Sequence, residues 1–250
     1  MSNLYSFLLD RDLSSKLRVP LLAGCEASCI PYTPPLVHYA ESVADRRPSP
    51  RNRGSSVGSV PDPFRRRRIF FESRLEYRHL VALMVNPDVL DIREQQSRTY
   101  SVGGRRHRYT TDFLTTFRSG LTVAYEVKYE ADAIRSNVHW LLEEVAAEVG
   151  DSLADEYRLL TEVHINDVTV SNSETIIWCA RDFDVTGQEV VRAMLSGAPE
   201  QMTLEEIGER SGLGGRGQRA AIALIQQGAL SFDATQSLSP RCLLRNRCRQ

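Results

Sequence analysis

Lys128 is one of only two lysines in a chain of 250 residues whose Lys and Arg together number 31, the other being Lys16. It closes the tripeptide Glu126-Val127-Lys128, and upstream Asp112 opens Asp112-Phe113-Leu114. Where arginine has been preferred almost everywhere, a retained ammonium suggests a task that a guanidinium cannot do. A compact, titratable point charge can orient or deprotonate a water, whereas arginine is a planar, permanently charged fork. Two carboxylates and such an amine are what hydrolysis of a phosphodiester calls for. The acids hold a hard divalent cation, and the amine handles the attacking water.

Those side chains must be brought together, and a hairpin would do it. Residues 111–117 and 121–128 are rich in β-branched and aromatic side chains, and the loop Arg118-Ser119-Gly120 ends in glycine, as three-residue hairpin loops prefer. Pairing Phe117 with Leu121 sets Asp112 opposite Glu126. Alternation with period two then places Phe113, Phe117, Leu121, Val123, Tyr125 and Val127 on one face, and Asp112, Glu126 and Lys128 on the other. The first face is expected to be buried and the second to be polar. Each fragment also has a plainer reading. A Glu-x-Lys on a strand is commonly a solvated face with a weak ion pair, and an aspartate at a strand start can satisfy a turn amide. Register, segregated faces and a scarce lysine together favour the site.

Composition sets bounds. The chain is long enough for a substantial core and a smaller second domain. Apolar and charged contents of 42% and 25% are those of a globular protein. There is no run of apolar residues long enough for a membrane helix. The amino terminus lacks the basic start and cleavage site of a secretory signal. Cys25, Cys29, Cys179, Cys242 and Cys248 are odd in number and scattered, so neither a disulfide framework nor a zinc site is expected. A reducing cytoplasm is the expected compartment. The net charge of −1 hides an asymmetry: residues 45–108 carry 15 Arg against 7 acids, and residues 126–210 carry 19 acids against 6 basic residues. A basic block beside the candidate site suits a phosphate backbone. Arg65, Arg66, Arg67 and Arg68, with Arg105, Arg106 and Arg108, are its expected DNA contacts.

The elements read as follows. Residues 45–63 look like a flexible basic loop. A helix is expected over 71–85, ended by Asn86-Pro87-Asp88, then a strand over 89–95. Residues 103–108 form a basic loop into the hairpin, followed by a helix near 133–149, a strand at 157–165 and an apolar stretch at 175–180. This is a mixed α/β domain. His79 and His107 invite an acid–base role, but a lone histidine on a helix or in a basic loop is more often structural or phosphate-contacting. Further on, 187–195 reads as helical, and Thr203-Leu204-Glu205-Glu206 has capping-box spacing for a helix closed by Gly212. A helix at 216–227 and a short strand at 229–233 complete a winged-helix-like module. Its Arg216, Gln218 and Arg219 could enter a groove, but the acidic helices before them favour protein docking. The expected division is 1–64, an amino-terminal region; 65–183, a nuclease domain; 184–238, the winged-helix-like domain; and 239–250, a basic tail.

Four ordered blocks carry a family resemblance: Phe71 to Tyr77, Pro87 to Gln95, Tyr109 to Phe113, and Glu126-Val127-Lys128. Together they resemble the TnsA family, the endonuclease subunits of heteromeric transposases. The resemblance covers about residues 65–165 and implies a restriction-endonuclease-like PD-(D/E)xK fold, a mixed sheet flanked by helices, with a carboxy-terminal winged helix. It implies that Glu76 is the helix acid, with Glu72 the competing choice, and that Asp112, Glu126 and Lys128 complete the catalytic set. The best-known members hold Gln where this chain has Glu126. Asp112 and Glu126, with the Val127 carbonyl, would hold Mg2+ (Mn2+ as a substitute), and Glu76 would support that ion or share a second. Lys128 would act on the attacking water, and Gln95 could supply a supporting hydrogen bond. The implied protein is bacterial. It cuts the strand at transposon ends that its integrase-type transposase partner leaves intact, and its carboxy-terminal domain docks on a regulatory AAA+ ATPase. A free-standing restriction or repair nuclease, or a silent DNA-binding assembly subunit, are the alternatives.

Overall fold

The computed structural model describes residues 37–46 and 56–248. Residues 47–55 of the expected basic loop, Cys25, Cys29 and Arg249 lie outside the described residues. The chain divides into two compact units, one spanning His38–Val170 and the other taking in everything from Ser171 onward.

The first unit is a mixed α/β fold. Strands β1 (Gly58–Asp62) and β2 (Arg67–Phe71) pair antiparallel, followed by helix α1 (Arg74–Val85). The central sheet has the order β3 (Val89–Val102), β4 (Arg105–Phe117), β5 (Thr122–Val127), β6 (Glu156–Leu160). Its first three strands are antiparallel, while β5 and β6 run parallel. A parallel pair needs a crossover, here made by α2 (Glu130–Arg135) and α3 (Val138–Val149). Helix α1 packs on β2 and β3, and α3 on β3 and β6.

The β4–β5 register is the one that the turn dictates. Phe113 pairs with Tyr125 and Thr116 with Thr122, and the Phe117 N–H donates to Leu121 O at 2.8 Å. Gly120 closes the loop at φ +91°, a conformation that glycine adopts without steric cost. The second face is not simply polar. Leu114 and Ala124 are buried on Val138, Leu142 and Val145 of α3, so helices cover more of the sheet than alternation alone suggests.

Several boundaries differ from expectation, each for a local reason. Helix α1 starts at Arg74, because Ser73 caps it by accepting from the Glu76 N–H at 3.0 Å, and Phe71 ends β2 as a fully buried residue. Arg105 to Arg108 are strand, not loop: Gly103 and Gly104, at φ +56° and +78°, make the turn of a long β3–β4 hairpin. The helix near 133–149 is two helices, broken where Asn137 takes φ +50°. Strand β6 stops at Leu160, and Glu162–His164 is a 3-10 turn. The apolar stretch at 175–180 belongs to helix α4 (Asp167–Ala180). Within the expected basic loop, Gly58–Asp62 is strand β1.

The second unit holds α5 (Val185–Ser196), α6 (Leu204–Arg210) and α7 (Gly215–Gln226), with a three-stranded antiparallel sheet of β7 (Gln201–Thr203), β9 (Leu243–Asn246) and β8 (Leu230–Phe232). The capping box at Thr203 and Glu206 is formed. Gly208 and Gly217 let α6 and α7 close together: a Cβ on Gly217 would stand 2.4 Å from Ser211 Oγ. Among the described residues no helix is long and apolar enough to cross a membrane.

Candidate active site

Asp112 is fixed from two sides. Its Oδ2 accepts the Val127 N–H at 2.8 Å, tying it to the end of β5, and its Oδ1 accepts Gln95 Nε2 at 3.3 Å. Burial, then the charge of Glu126, raises its pKa to about 8. The Glu126 carboxyl is also pushed up, chiefly by burial, and Lys128 pulls it back. Glu76, in the first turn of α1, is 6% exposed. Its Oε2 accepts the Glu72 N–H at 2.7 Å. Burial, then the charge of Asp112, lifts it to about 8. Tyr109, buried beside Glu126, has its phenol pushed upward by burial and then by that carboxylate.

Three carboxylates from α1, β4 and β5, each within reach of another's charge, thus lie in a protected setting with Lys128 beside Glu126. Burying like charges is costly unless something neutralises them, whether protons or a cation. Among the described residues no group of three or more His, Cys, Asp or Glu is arranged to hold a metal ion by itself. Mg2+ needs less, since it keeps several waters and takes one or two carboxylates. The Asp112–Glu126 pair could supply that donor set, with Glu76 near it by charge. Glu72, the competing helix acid, precedes α1 and accepts Arg46 Nη2 at 2.6 Å.

Sequence reasoning missed Arg46. It also accepted no role for the run 40–46, which is stitched to the strands. Ala40 bridges to Arg67, Ser42 bonds Glu94, Gln96 Nε2 donates to Val43 O at 2.9 Å, and the Ser97 N–H donates to Asp45 Oδ2 at 2.8 Å. Little in the local sequence marks that run, because the bonds that stitch it to the strands each span twenty-five residues or more. His79 is structural: its Nε2 lies 3.0 Å from Thr161 O, buried under α1.

The arginines separate by environment. Arg65 is turned inward, paired with fully buried Asp62 at 2.7 Å and donating to Val89 O and Leu90 O. Arg67 is likewise engaged by Asp91 at 2.9 Å and by Ile92 O. Arg65 thus ties the β1–β2 turn to β3, and Arg67 ties β2 to β3. Arg66, Arg68, Arg105, Arg106 and Arg108 are exposed. In the second unit Arg216 grips Asp184 through two bonds of 2.7 and 2.8 Å, and Arg219 pairs with Asp182 at 3.2 Å. Two of the three side chains that a groove-reading helix would use are therefore tied within the unit.

Residues 86–162 match the family model described as the TnsA-like endonuclease N terminal. The match contains Asp112, Glu126, Val127 and Lys128, while Glu76 lies ahead of it. No curated protein matches the chain. The matched segment is similar to TnsA-type endonuclease domains, which supports a nuclease related to transposase subunits.

Proposed function

We propose that a chain carrying this TnsA-type domain is the metal-dependent DNA endonuclease subunit of a cut-and-paste transposase, cleaving the transposon-end strand that its integrase-type partner leaves intact. The observation that carries the reading is the fixing of Asp112 on the Val127 N–H, within reach of the Glu126 charge and inside the matched segment, with Lys128 acting on Glu126. Asp112 and Glu126, with the Val127 carbonyl, would hold Mg2+ or Mn2+, and Glu76 would support that site. The ion, when bound, neutralises phosphate charge and supplies a nucleophilic hydroxide near neutral pH. Lys128 would orient the attacking water and offset the negative charge on the oxygens of the pentavalent phosphate. The pair's partial burial strengthens both effects, because charges act more strongly where water is partly excluded.

The second unit is assigned as a winged-helix-like module that docks partner proteins, a regulatory AAA+ ATPase and the transposase, rather than reading DNA. It extends past the 184–238 expected from sequence, because Leu243–Asn246 of the expected basic tail is the central strand of its sheet. Its three helices, small antiparallel sheet and the tethering of Arg216 and Arg219 support that assignment. The test is a strand-nicking assay on transposon-end duplexes, with the co-encoded transposase, in Mg2+ and in EDTA. Cleavage of one strand in Mg2+, absent in EDTA and in Asp112→Ala, is the expected result. Cleavage unaffected by EDTA or by that substitution would overturn the assignment.

A further inference from the structure

Arg46 reaches the site from a part of the chain that matches no family block, and its Nη2 donates to two acceptors at once: Glu72 Oε2 at 2.6 Å and Gln95 Oε1 at 2.5 Å. Gln95 is 1% exposed and takes φ +51°, an uncommon backbone for a residue with a side chain. Conformations of that kind persist where the surroundings over-determine them. A glutamine amide can be turned either way round, and its partners decide which. A guanidinium only donates, so the atom facing Arg46 is the amide oxygen. The amide nitrogen is thereby turned to Asp112 Oδ1 at 3.3 Å. The opposite orientation would set oxygen against oxygen at the half-buried carboxylate.

We propose that Arg46 and Gln95 are positioning residues for the candidate cation site, a relay in which Arg46 fixes the Gln95 amide and Gln95 fixes the plane of the Asp112 carboxylate. The proposal rests on the assignment of Asp112 as a metal ligand. With Val127 N–H on one oxygen and Gln95 on the other, each oxygen of Asp112 is held by one donor and keeps capacity toward a cation. Groups that orient a ligand in this way affect metal affinity by about 10- to 100-fold. The run 40–46 thereby becomes part of the nuclease site, because its bonds to β3 deliver Arg46 to Gln95.

The test is Mn2+ binding to the full-length protein without DNA, by electron paramagnetic resonance and calorimetry, for wild type, Arg46→Met, Gln95→Asn, the double variant and Asp112→Asn. Arg46 is 43% exposed in its side chain, and asparagine tolerates positive φ while being too short to bridge both partners, so both single variants are expected to fold. Each single variant should weaken Mn2+ binding about tenfold or more. The double variant should be no weaker than the worse single one, since the two residues act in series. Arg46→Lys, which keeps a donor, should recover part of the loss. Unchanged Mn2+ affinity in both single variants, or losses that simply add, would overturn the relay. So would a loss of DNA affinity in EDTA with metal binding intact, which would make Arg46 a phosphate contact instead. Should wild type bind no Mn2+, or Asp112→Asn bind it equally well, the metal-site assignment itself falls. That outcome is distinct from failure of the relay alone.

Discussion

At the scale of single residues, the buried acids make a prediction with a definite sign. Asp112 and Glu76 both stand at about 8, because burial and a neighbouring carboxylate disfavour their charged forms. In the unfolded chain they return to the ordinary carboxylate range near 4. Between about pH 4 and about pH 8 the folded protein therefore keeps protons that the unfolded chain has released. Stability falls as pH rises through that window and levels off above it, the reverse of an ion-paired carboxylate. Thermal melts in EDTA should give a lower Tm at about pH 8 than at about pH 5. Asp112→Asn should flatten the trend, and added Mg2+ should restore stability most at the alkaline end, where it no longer competes with protons. If Lys128 acts on the attacking water as proposed, the size and shape of its cation matter as well as its sign. Lys128→Arg should lower the single-turnover cleavage rate by about 100-fold or more while leaving duplex binding intact.

At the scale of elements, the helix cap links stability to the site. Ser73 accepts the Glu76 N–H, so it both starts α1 and sets the backbone from which Glu76 enters the acid cluster. Ser73→Ala should cost about 1 kcal/mol in urea denaturation and should reduce cleavage further than that loss of folded protein explains. The elements that could be read from sequence were those specified locally. The β4–β5 register follows from a glycine-closed loop and period-two alternation, and the capping box at Thr203 needs only four residues. The placement of Asp112 against the end of β5 follows from that same register. What could not be read depends on distant partners. Arg105 to Arg108 look like a loop because their charges give no hint that Thr99, Tyr100, Ser101 and Val102 pair with them. The run 40–46 is organised chiefly by bonds to β2 and β3, so no periodicity of its own announces it. Arg65 and Arg67 share a four-arginine run with Arg66 and Arg68, and only the positions of Asp62 and Asp91 separate structural from exposed members.

At the scale of the molecule, that separation turns a crude charge argument into one with distinguishable outcomes. The excess of arginine over residues 45–108 suggests a polyanion partner, but not every guanidinium in it can serve one. Arg65 neutralises an aspartate that is fully buried, so Arg65→Ala would leave an unpaired interior charge. The expected cost is about 3–5 kcal/mol of stability, read as a lower urea midpoint. Arg105 and Arg106, exposed beside the turn of the β3–β4 hairpin, satisfy no comparable interior group. Arg105→Ala with Arg106→Ala should leave the urea midpoint nearly unchanged and weaken duplex binding in EDTA. Each phosphate contact contributes about 0.9 to the slope of log affinity against log salt concentration. The double variant should therefore reduce that slope by nearly two if both arginines meet the backbone. A slope equal to wild type would remove the hairpin from the DNA track and leave Arg66 and Arg68 to define it. A large stability loss in the hairpin variant would instead show that these guanidiniums hold the fold, as Arg65 does.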